Sequence, residues 1–227
     1  MNLPYFLCIE TSSGFCSVAL SRGSDFIYQA LESEKNRTAD RINLLIEEVI
    51  TNSEITFKDL NAIAISGGPG SYTGLRIGVA VAKGLAYALR IPLIHVETFI
   101  TMKSKLEEVC GSKFDRYIPM IDARRMDAFT AILNEQNEYI LEPQCLTIDQ
   151  ALIEKWSQNY RIVIFGHELN KFNILLQENP FIIYLNNITL EAKYMITSAH
   201  EKYFKNQFED IAYYEPRYYK KFHSSSK

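Results

Sequence analysis

The residues best suited to chemistry lie in two short turns. One is Ser66-Gly67-Gly68-Pro69-Gly70-Ser71, which follows the apolar run Ala62-Ile63-Ala64-Ile65 and precedes a nearly uncharged helical stretch. Strand, glycine turn and helix N-terminus together present backbone N–H groups and the positive end of a helix dipole, which is chemistry for a phosphate or another anion. Thr73 is the expected N-cap of that helix. The turn is not a Walker loop, because no Gly-Lys-Ser/Thr follows it. Nor is it a dinucleotide fingerprint, because its third glycine falls one position late. The other turn, Glu10-Thr11-Ser12-Ser13-Gly14, closes the first strand and offers hydroxyls and amides, although turn formation alone also accounts for its composition. The candidate anion-facing residues are Glu10, Thr11, Ser12, Gly68, Gly70, Ser71 and Thr73.

Three further groups could carry function. Asp122, Arg124, Arg125 and Asp127 form the densest polar cluster in an apolar neighbourhood. They read either as a cleft-facing acid and base or phosphate-binding arginines, or as a turn closed by an Asp–Arg pair. The segment Tyr213-Tyr214-Glu215-Pro216-Arg217-Tyr218-Tyr219-Lys220-Lys221 interleaves rings with cations, a composition that stacks on and neutralises nucleic acid, or else packs on its own domain. The pattern favours packing. The histidines, His95, His167, His200 and His223, are never within a helical turn of one another, so no local zinc or iron site is expected. There is neither a serine elbow nor a cysteine beside a histidine.

The elements that position these groups follow from hydrophobic periodicity. Tyr5–Ile9, Phe15–Leu20 and Asp25–Glu32 read as three strands joined by tight turns, an antiparallel meander. Ile42, Leu45, Ile46 and Val49 mark one face of a helix. Thr56-Phe57-Lys58-Asp59 is a capping box leading into the strand Ala62–Ile65. After the helix that ends at Leu89, Leu93–Val96 is a strand expected to run parallel to Ala62–Ile65, because a helix connects them. Glu97–Glu108 is a helix candidate. Ile118–Ile121, Ala128–Leu133, Tyr139–Leu141, Arg161–Phe165 and Phe181–Tyr184 read as strands. Thr147-Ile148-Asp149-Gln150 opens a helix through Trp156, and Glu191–Lys205 is a final long helix.

The helix after the glycine turn has an unusual composition. Gly74, Gly78, Ala82 and Ala86 recur every four residues and form a ridge of small side chains, and only Arg76 and Lys83 are charged between Leu75 and Leu89. Internal glycines cost about 1 kcal/mol each against alanine, so the ridge must serve a close backbone approach. That approach is either to the chain's own sheet or to a helix of another subunit.

With 227 residues and a net charge of -3, the chain has room for a sizeable core and no global nucleic-acid signature. Cys8, Cys16, Cys110 and Cys145 are widely spaced and read as reduced thiols rather than a disulfide or zinc framework. No signal peptide or membrane span is expected.

Gly68-Pro69-Gly70-Ser71-Tyr72-Thr73-Gly74-Leu75-Arg76-Ile77-Gly78, followed by Ala82-Lys83-Gly84-Leu85-Ala86, closely resembles the signature of the TsaB (YeaZ-like) family. Glu10-Thr11-Ser12 with Cys16-Ser17-Val18-Ala19-Leu20, Ile121-Asp122-Ala123-Arg124-Arg125 with Phe129, and Tyr214-Glu215-Pro216-Arg217-Tyr218 are similar to further blocks of that family, in the same order. The resemblance implies an α/β fold of the two-lobed, actin-like ATPase (ribonuclease-H-like) superfamily, with mixed sheets flanked by helices. The expected division is an N-terminal lobe, residues 1–108, and a C-terminal lobe, residues 109–227, with the last segment a candidate to pack back on the first lobe.

The function implied is that of a non-catalytic scaffold or activator in making threonylcarbamoyladenosine next to the anticodon of tRNAs that read codons beginning with A. The implied partners are a TsaD-like catalytic paralogue, a TsaE-like ATPase subunit, a second copy of the chain in isolation, and tRNA through an indirect or weak contact. The implied location is the bacterial cytoplasm. The isolated chain is expected to hold no cofactor and no metal, while the assembled complex leaves room for ATP and magnesium at its interface. Two readings stand beside it, an autonomous nucleotide-dependent enzyme of the same superfamily and a metalloprotease-like hydrolase. Departures from the superfamily bear on nucleotide binding. Glu10 stands where an aspartate is usual, and Phe165-Gly166-His167-Glu168 has one glycine where a second phosphate loop is expected. In the family, pairing uses the two helices of the first lobe, here around Arg41–Ile50 and Leu75–Leu89. The partner-interface candidates are Arg41, Leu45, Glu48, Gly74, Leu75, Gly78, Val79, Ala82, Lys83, Leu85 and Ala86, with the small-residue ridge turned towards the partner.

Overall fold

The computed structural model describes residues 3–111, 113–176 and 181–220; Lys221 and His223, named above, lie outside them. From the N-terminus, β1 (Tyr5–Glu10), β2 (Cys16–Arg22) and β3 (Asp25–Glu32) form the expected antiparallel meander, and α1 (Thr38–Asn52) follows. Next come β4 (Leu60–Ser66), α2 (Tyr72–Leu89), β5 (Leu93–Val96) and α3 (Thr98–Cys110). The second half runs through β6 (Arg116–Asp122), β7 (Asp127–Leu133), β8 (Tyr139–Thr147), α4 (Gln150–Ser157), β9 (Ile162–Gly166), α5 (Asn173–Leu176), β10 (Ile182–Leu185) and α6 (Ile196–Phe204).

The chain divides into two units. The first comprises Met1–Lys105 with Leu190–Pro216, and the second Leu106–Thr189 with Arg217–Lys227. In the first unit the sheet order is β3-β2-β1-β4-β5, with β4 parallel to both β1 and β5. The parallel pair is the one its helical crossover requires. Alternation along β1 serves two cores. Leu7 and Ile9 face the layer of α1 and α2, with Ile42, Leu45, Val49, Ala82 and Ala86, whereas Phe6 and Cys8 face Ala192, Met195, Ile196 and Ala199. A sheet buried on both faces explains why β4 reads as an uninterrupted apolar run.

The second unit has the order β8-β7-β6-β9-β10, again with three antiparallel strands and two parallel additions. Its core gathers Ile118, Met120, Ile132, Ile164, Trp156 and Phe172. The same mixed-sheet α/β strand order is thus present twice. The capping box at Thr56 and Asp59 forms as read.

Three local expectations differ. The N-cap of α2 is Ser71, not Thr73: Ser71 Oγ accepts the Gly74 amide at 3.2 Å, and its own N–H is held by Ser12 O at 2.6 Å. Asp149, not Thr147, caps α4 by accepting the Leu152 amide at 2.8 Å, while Thr147 ends β8 and donates to Asp127 Oδ1. The helix expected over Glu191–Lys205 begins as a 3-10 turn, Ala192–Met195, before α6. No helix of the described residues is long and apolar enough to cross a membrane.

Candidate functional site

The two turns named first come together. The glycine turn between β4 and α2 closes on the turn that follows β1, through backbone rather than side chains. A Cβ on Gly70 would strike the Ser12 carbonyl, one on Gly74 the Thr11 carbonyl, and one on Gly78 the Thr11 side chain. Glycine is required at Gly70 and Gly74 because backbone meets backbone there, and at Gly78 because the Thr11 side chain fills the space.

Several of the amides that could have met a phosphate are engaged within the chain. Ser71 N–H donates to Ser12 O at 2.6 Å, Gly67 N–H to Val96 O at 2.9 Å and Gly74 N–H to Ser71 Oγ at 3.2 Å. On the other turn, Thr11 N–H donates to Ser66 Oγ at 3.2 Å. Ser12 gives both its N–H, at 2.6 Å, and its hydroxyl, at 2.5 Å, to Glu10 Oε1. Glu10 is 1 % exposed. Its carboxyl curls back over its own turn and takes the donors an incoming anion would use. Burial pushes its pKa up to about 7, even though hydrogen bonds from Ser12 and Ser66 draw it down. A phosphate or hydrated magnesium ion here would have to displace this carboxyl and reopen the turn. The residues present do not fit such a group in this arrangement. Gly68, at φ 99°, serves the turn itself, and Thr73 is exposed on α2.

Helix α2 has two faces of different kinds. Gly74, Leu75, Gly78, Val79, Ala82 and Ala86 are buried, and Gly78 also lies against Ile65 of β4. The small-residue ridge is therefore spent on the chain's own sheet, not turned outwards as read from the sequence. Leu45 is likewise buried, on the inner face of α1. Arg41 and Glu48 are tied to β3, Arg41 by a 2.8 Å pair with Glu32 and Glu48 by accepting Tyr28 Oη at 3.1 Å. Lys83 donates to the carbonyls of Ala212, at 3.3 Å, and Tyr214, at 3.0 Å. Of the named set, Arg41, Lys83 and Leu85 are half-buried and Glu48 is exposed.

The outer face of α2 carries Ala80, Gly84, Tyr87 and Ala88, all exposed, with Ile77, Val81 and Leu85 half-buried beside them. The sequence holds a second four-residue series, Ala80, Gly84, Ala88, which lies about 200° round the helix axis from Gly78. It was the available signal for the exposed face, and the stronger ridge obscured it. Nothing lies within 4 Å of a Cβ placed on Gly84.

Behind the glycine turn is a polar group that motif reading missed. His95, 2 % exposed, shares a hydrogen bond of 2.9 Å between Nδ1 and Tyr214 Oη, and its Nε2 is 3.6 Å from Glu97 Oε1. Lys202 Nζ donates to Glu97 Oε2 at 3.0 Å. Burial acts to raise the Glu97 pKa, but His95 and Lys202 outweigh it and hold the carboxyl below the usual range. Tyr214 is 7 % exposed, so this part of the aromatic tail packs on its own unit. Gly67 is small because His95 and the Tyr214 hydroxyl fill the space a Cβ would take.

The Asp122–Asp127 cluster forms the β6–β7 hairpin but without the Asp–Arg pair considered above. Asp122 Oδ1 accepts Lys171 Nζ and the Arg124 amide, each at 2.6 Å, and Asp127 Oδ2 accepts Lys220 Nζ at 2.8 Å. Arg124 and Arg125 stand exposed at the tip with φ of 69° and 46°. Left-handed backbone costs a residue with a Cβ about 1–2 kcal/mol. Among the described residues no three His, Cys, Asp or Glu side chains are placed to hold a metal ion.

The family model described as "TsaD: tRNA N6-adenosine threonylcarbamoyltransferase" matches residues 32–221. The chain belongs to that family. It is similar to the TsaB (YeaZ-like) proteins of the family, as its motif blocks imply. The tRNA threonylcarbamoyladenosine biosynthesis protein TsaB of Buchnera aphidicola subsp. Acyrthosiphon pisum is 28% identical over 80% of this chain and 83% of its own length. The protein of the same name from Escherichia coli is 32% identical over 61% of this chain and 62% of its own length. Among solved structures, a Pseudomonas aeruginosa protein described as similar to peptidase YEAZ superposes with a TM-score of 0.80. It covers 96% of this chain and 100% of that one at 21% identity, a likeness of fold.

Proposed function

We propose that this chain is the non-catalytic partner of a TsaD-like enzyme that transfers a threonylcarbamoyl group to N6 of an adenosine beside the anticodon of tRNA. The observation that carries this reading is the closure of the glycine turn over Glu10, in a member of a family described as a transferase. A turn in which the Ser12, Gly67, Ser71 and Gly74 amides are engaged within the chain, and Glu10 folds onto Ser12, is read as a structural joint rather than a phosphate site. What it makes rigid is α2, and through α2 the exposed stripe Ala80, Gly84, Ala88 with Tyr87.

Small residues along one face let two helices approach closely, and large half-buried neighbours such as Val81 and Leu85 supply the apolar contact around them. We assign that face, with the exposed Leu44 of α1, to the TsaD-like paralogue, and to a second copy of this chain when the paralogue is absent. ATP with magnesium and a TsaE-like ATPase belong, in this reading, to the assembled complex in the cytoplasm. The test is reconstitution. Purified chain alone should neither form nor transfer the threonylcarbamoyl group, and the paralogue should require it for transfer to tRNA. Robust transfer by the isolated chain would overturn the reading.

A further inference from the structure

We propose that the tip of the β6–β7 hairpin, Arg124 and Arg125, is a contact for the phosphate backbone of RNA. Three observations converge on it. The first is conformational. Two consecutive arginines occupy left-handed backbone, at φ 69° and 46°, where glycine or asparagine sits without strain. A surface hairpin with no other task has no need of arginine at either position.

The second is electrostatic. Both aspartates of the hairpin are held by lysines: Lys171 Nζ bridges Asp122 Oδ1 at 2.6 Å and Asp127 O at 2.9 Å, and Lys220 Nζ bridges Ala123 O and Asp127 Oδ2, both at 2.8 Å. Neither guanidinium has a carboxylate partner among the described residues. The local charge is therefore positive on a chain whose net charge is -3. The same hydrogen bonds brace the hairpin from beneath, together with Arg124 N–H to Asp122 Oδ1 at 2.6 Å. A braced pair of planar, multidentate donors suits phosphate oxygens.

The third is a juxtaposition of two remote sequence features. Lys220 belongs to the aromatic and basic segment, and its ammonium is tied to the base of this hairpin. Tyr218, two residues earlier, is 41% exposed. Cations with an exposed ring nearby are what an RNA strand uses: charge for its phosphates and a face for a base.

The assignment rests on the tRNA-modifying role proposed above. The test measures binding of labelled tRNA by fluorescence anisotropy over a salt series, using the full chain assembled with its TsaD-like paralogue. Arg124→Asn combined with Arg125→Gly removes both charges while suiting the backbone, so its melting temperature should equal or exceed that of the parent. Its affinity should fall about tenfold at low salt, and the slope of log K against log salt should shrink by roughly 1.5–2. Arg124→Lys with Arg125→Lys should keep most of that slope. A stable Asn/Gly variant with parental affinity and slope overturns the proposal. Turnover separates the two claims. If the parent assembly modifies tRNA and the Asn/Gly variant has the same KM for tRNA, the tip is not a contact and the functional reading stands. If the parent assembly binds tRNA through the tip but never modifies it, the functional reading fails alone.

Discussion

The two units share one strand order, three antiparallel strands followed by two parallel ones, but finish their first strand in opposite ways. In the first unit β1 ends at Glu10, 1 % exposed and folded onto its own turn. In the second, β6 ends at Asp122, whose side chain is 47% exposed and paired with Lys171. The fourth strands diverge as well. β4 leads into α2, and Gly70, Gly74 and Gly78 let the helix lie on the first turn, whereas β9 ends at Gly166 and leads to a 3-10 turn, Asn170–Phe172. Topology is thus indifferent to the chemistry at its own strand ends. What differs is how closely the connection after the fourth strand approaches the turn after the first. In the first unit that approach runs from Gly70 to Gly78 and seats a long helix. In the second, Gly166 meets the Met120 carbonyl within β6, and a charged hairpin stands at the surface.

The largest test of this contrast is Gly74→Ala. Its methyl would meet the Thr11 carbonyl, which is backbone and cannot rotate away, so a loss of about 3 kcal/mol is expected in urea unfolding. Gly166→Ala should cost roughly 2 kcal/mol, since it presses on the Met120 carbonyl and also on the more yielding Leu169 side chain. Equal and negligible effects would mean that neither connection is closely packed.

Glu10→Gln sharpens the electrostatic half of the comparison. The folded pKa of Glu10, about 7, lies above its unfolded value of about 4.3. Between these two pH values the folded chain holds a proton that the unfolded chain has lost, so this group's contribution to stability declines as pH rises from about 4.5 to about 7. The accumulated loss is of order 3–4 kcal/mol by pH 8. The Gln variant should lack that slope, and parallel curves for variant and parent would show that Glu10 is not the cause. Asp127 has the opposite sign. Its pKa is lowered by hydrogen bonds from Lys220 and Thr147, so its contribution is lost as pH falls through the carboxylate range.

The smallest effect expected is a gain. Gly84→Ala fills open space in the middle of a helix and should stabilise by about 0.5–1 kcal/mol. Three glycines of one helix, two hemmed in and one open, are thereby told apart by sign.

Much of this fold was legible in the sequence because period-2 and period-3.6 patterns record burial directly. Each of the ten strands among the described residues overlaps an expected run, although β8 extends to Thr147 beyond the expected Tyr139–Leu141, and α1 and α2 follow from their buried faces. The small-residue ridge of α2 is legible as a close approach, but not what it approaches. Small residues at four-residue spacing are equally suited to a sheet of the same chain and to a partner's helix, and only coordinates show Gly78 against Thr11. Glu10 was recognised as a departure from aspartate. That it would satisfy its own turn depends on side-chain direction, which sequence spacing does not carry. The Asp122–Asp127 cluster was legible as a polar turn, whereas its lysine partners come from positions 171 and 220, too remote for any local pattern.

A large substitution at Gly78 would damage the fold before it tested pairing, so the decisive probe belongs on the other side of the helix. The most direct measurement is sedimentation velocity of the chain mixed with its TsaD-like paralogue, comparing the parent with Ala80→Arg combined with Gly84→Arg. Both positions are exposed, so the melting temperature should be preserved within a few degrees. The account predicts that the variant no longer forms the heteromer and no longer supports threonylcarbamoyl transfer. A folded variant that pairs and supports transfer as the parent does would contradict it.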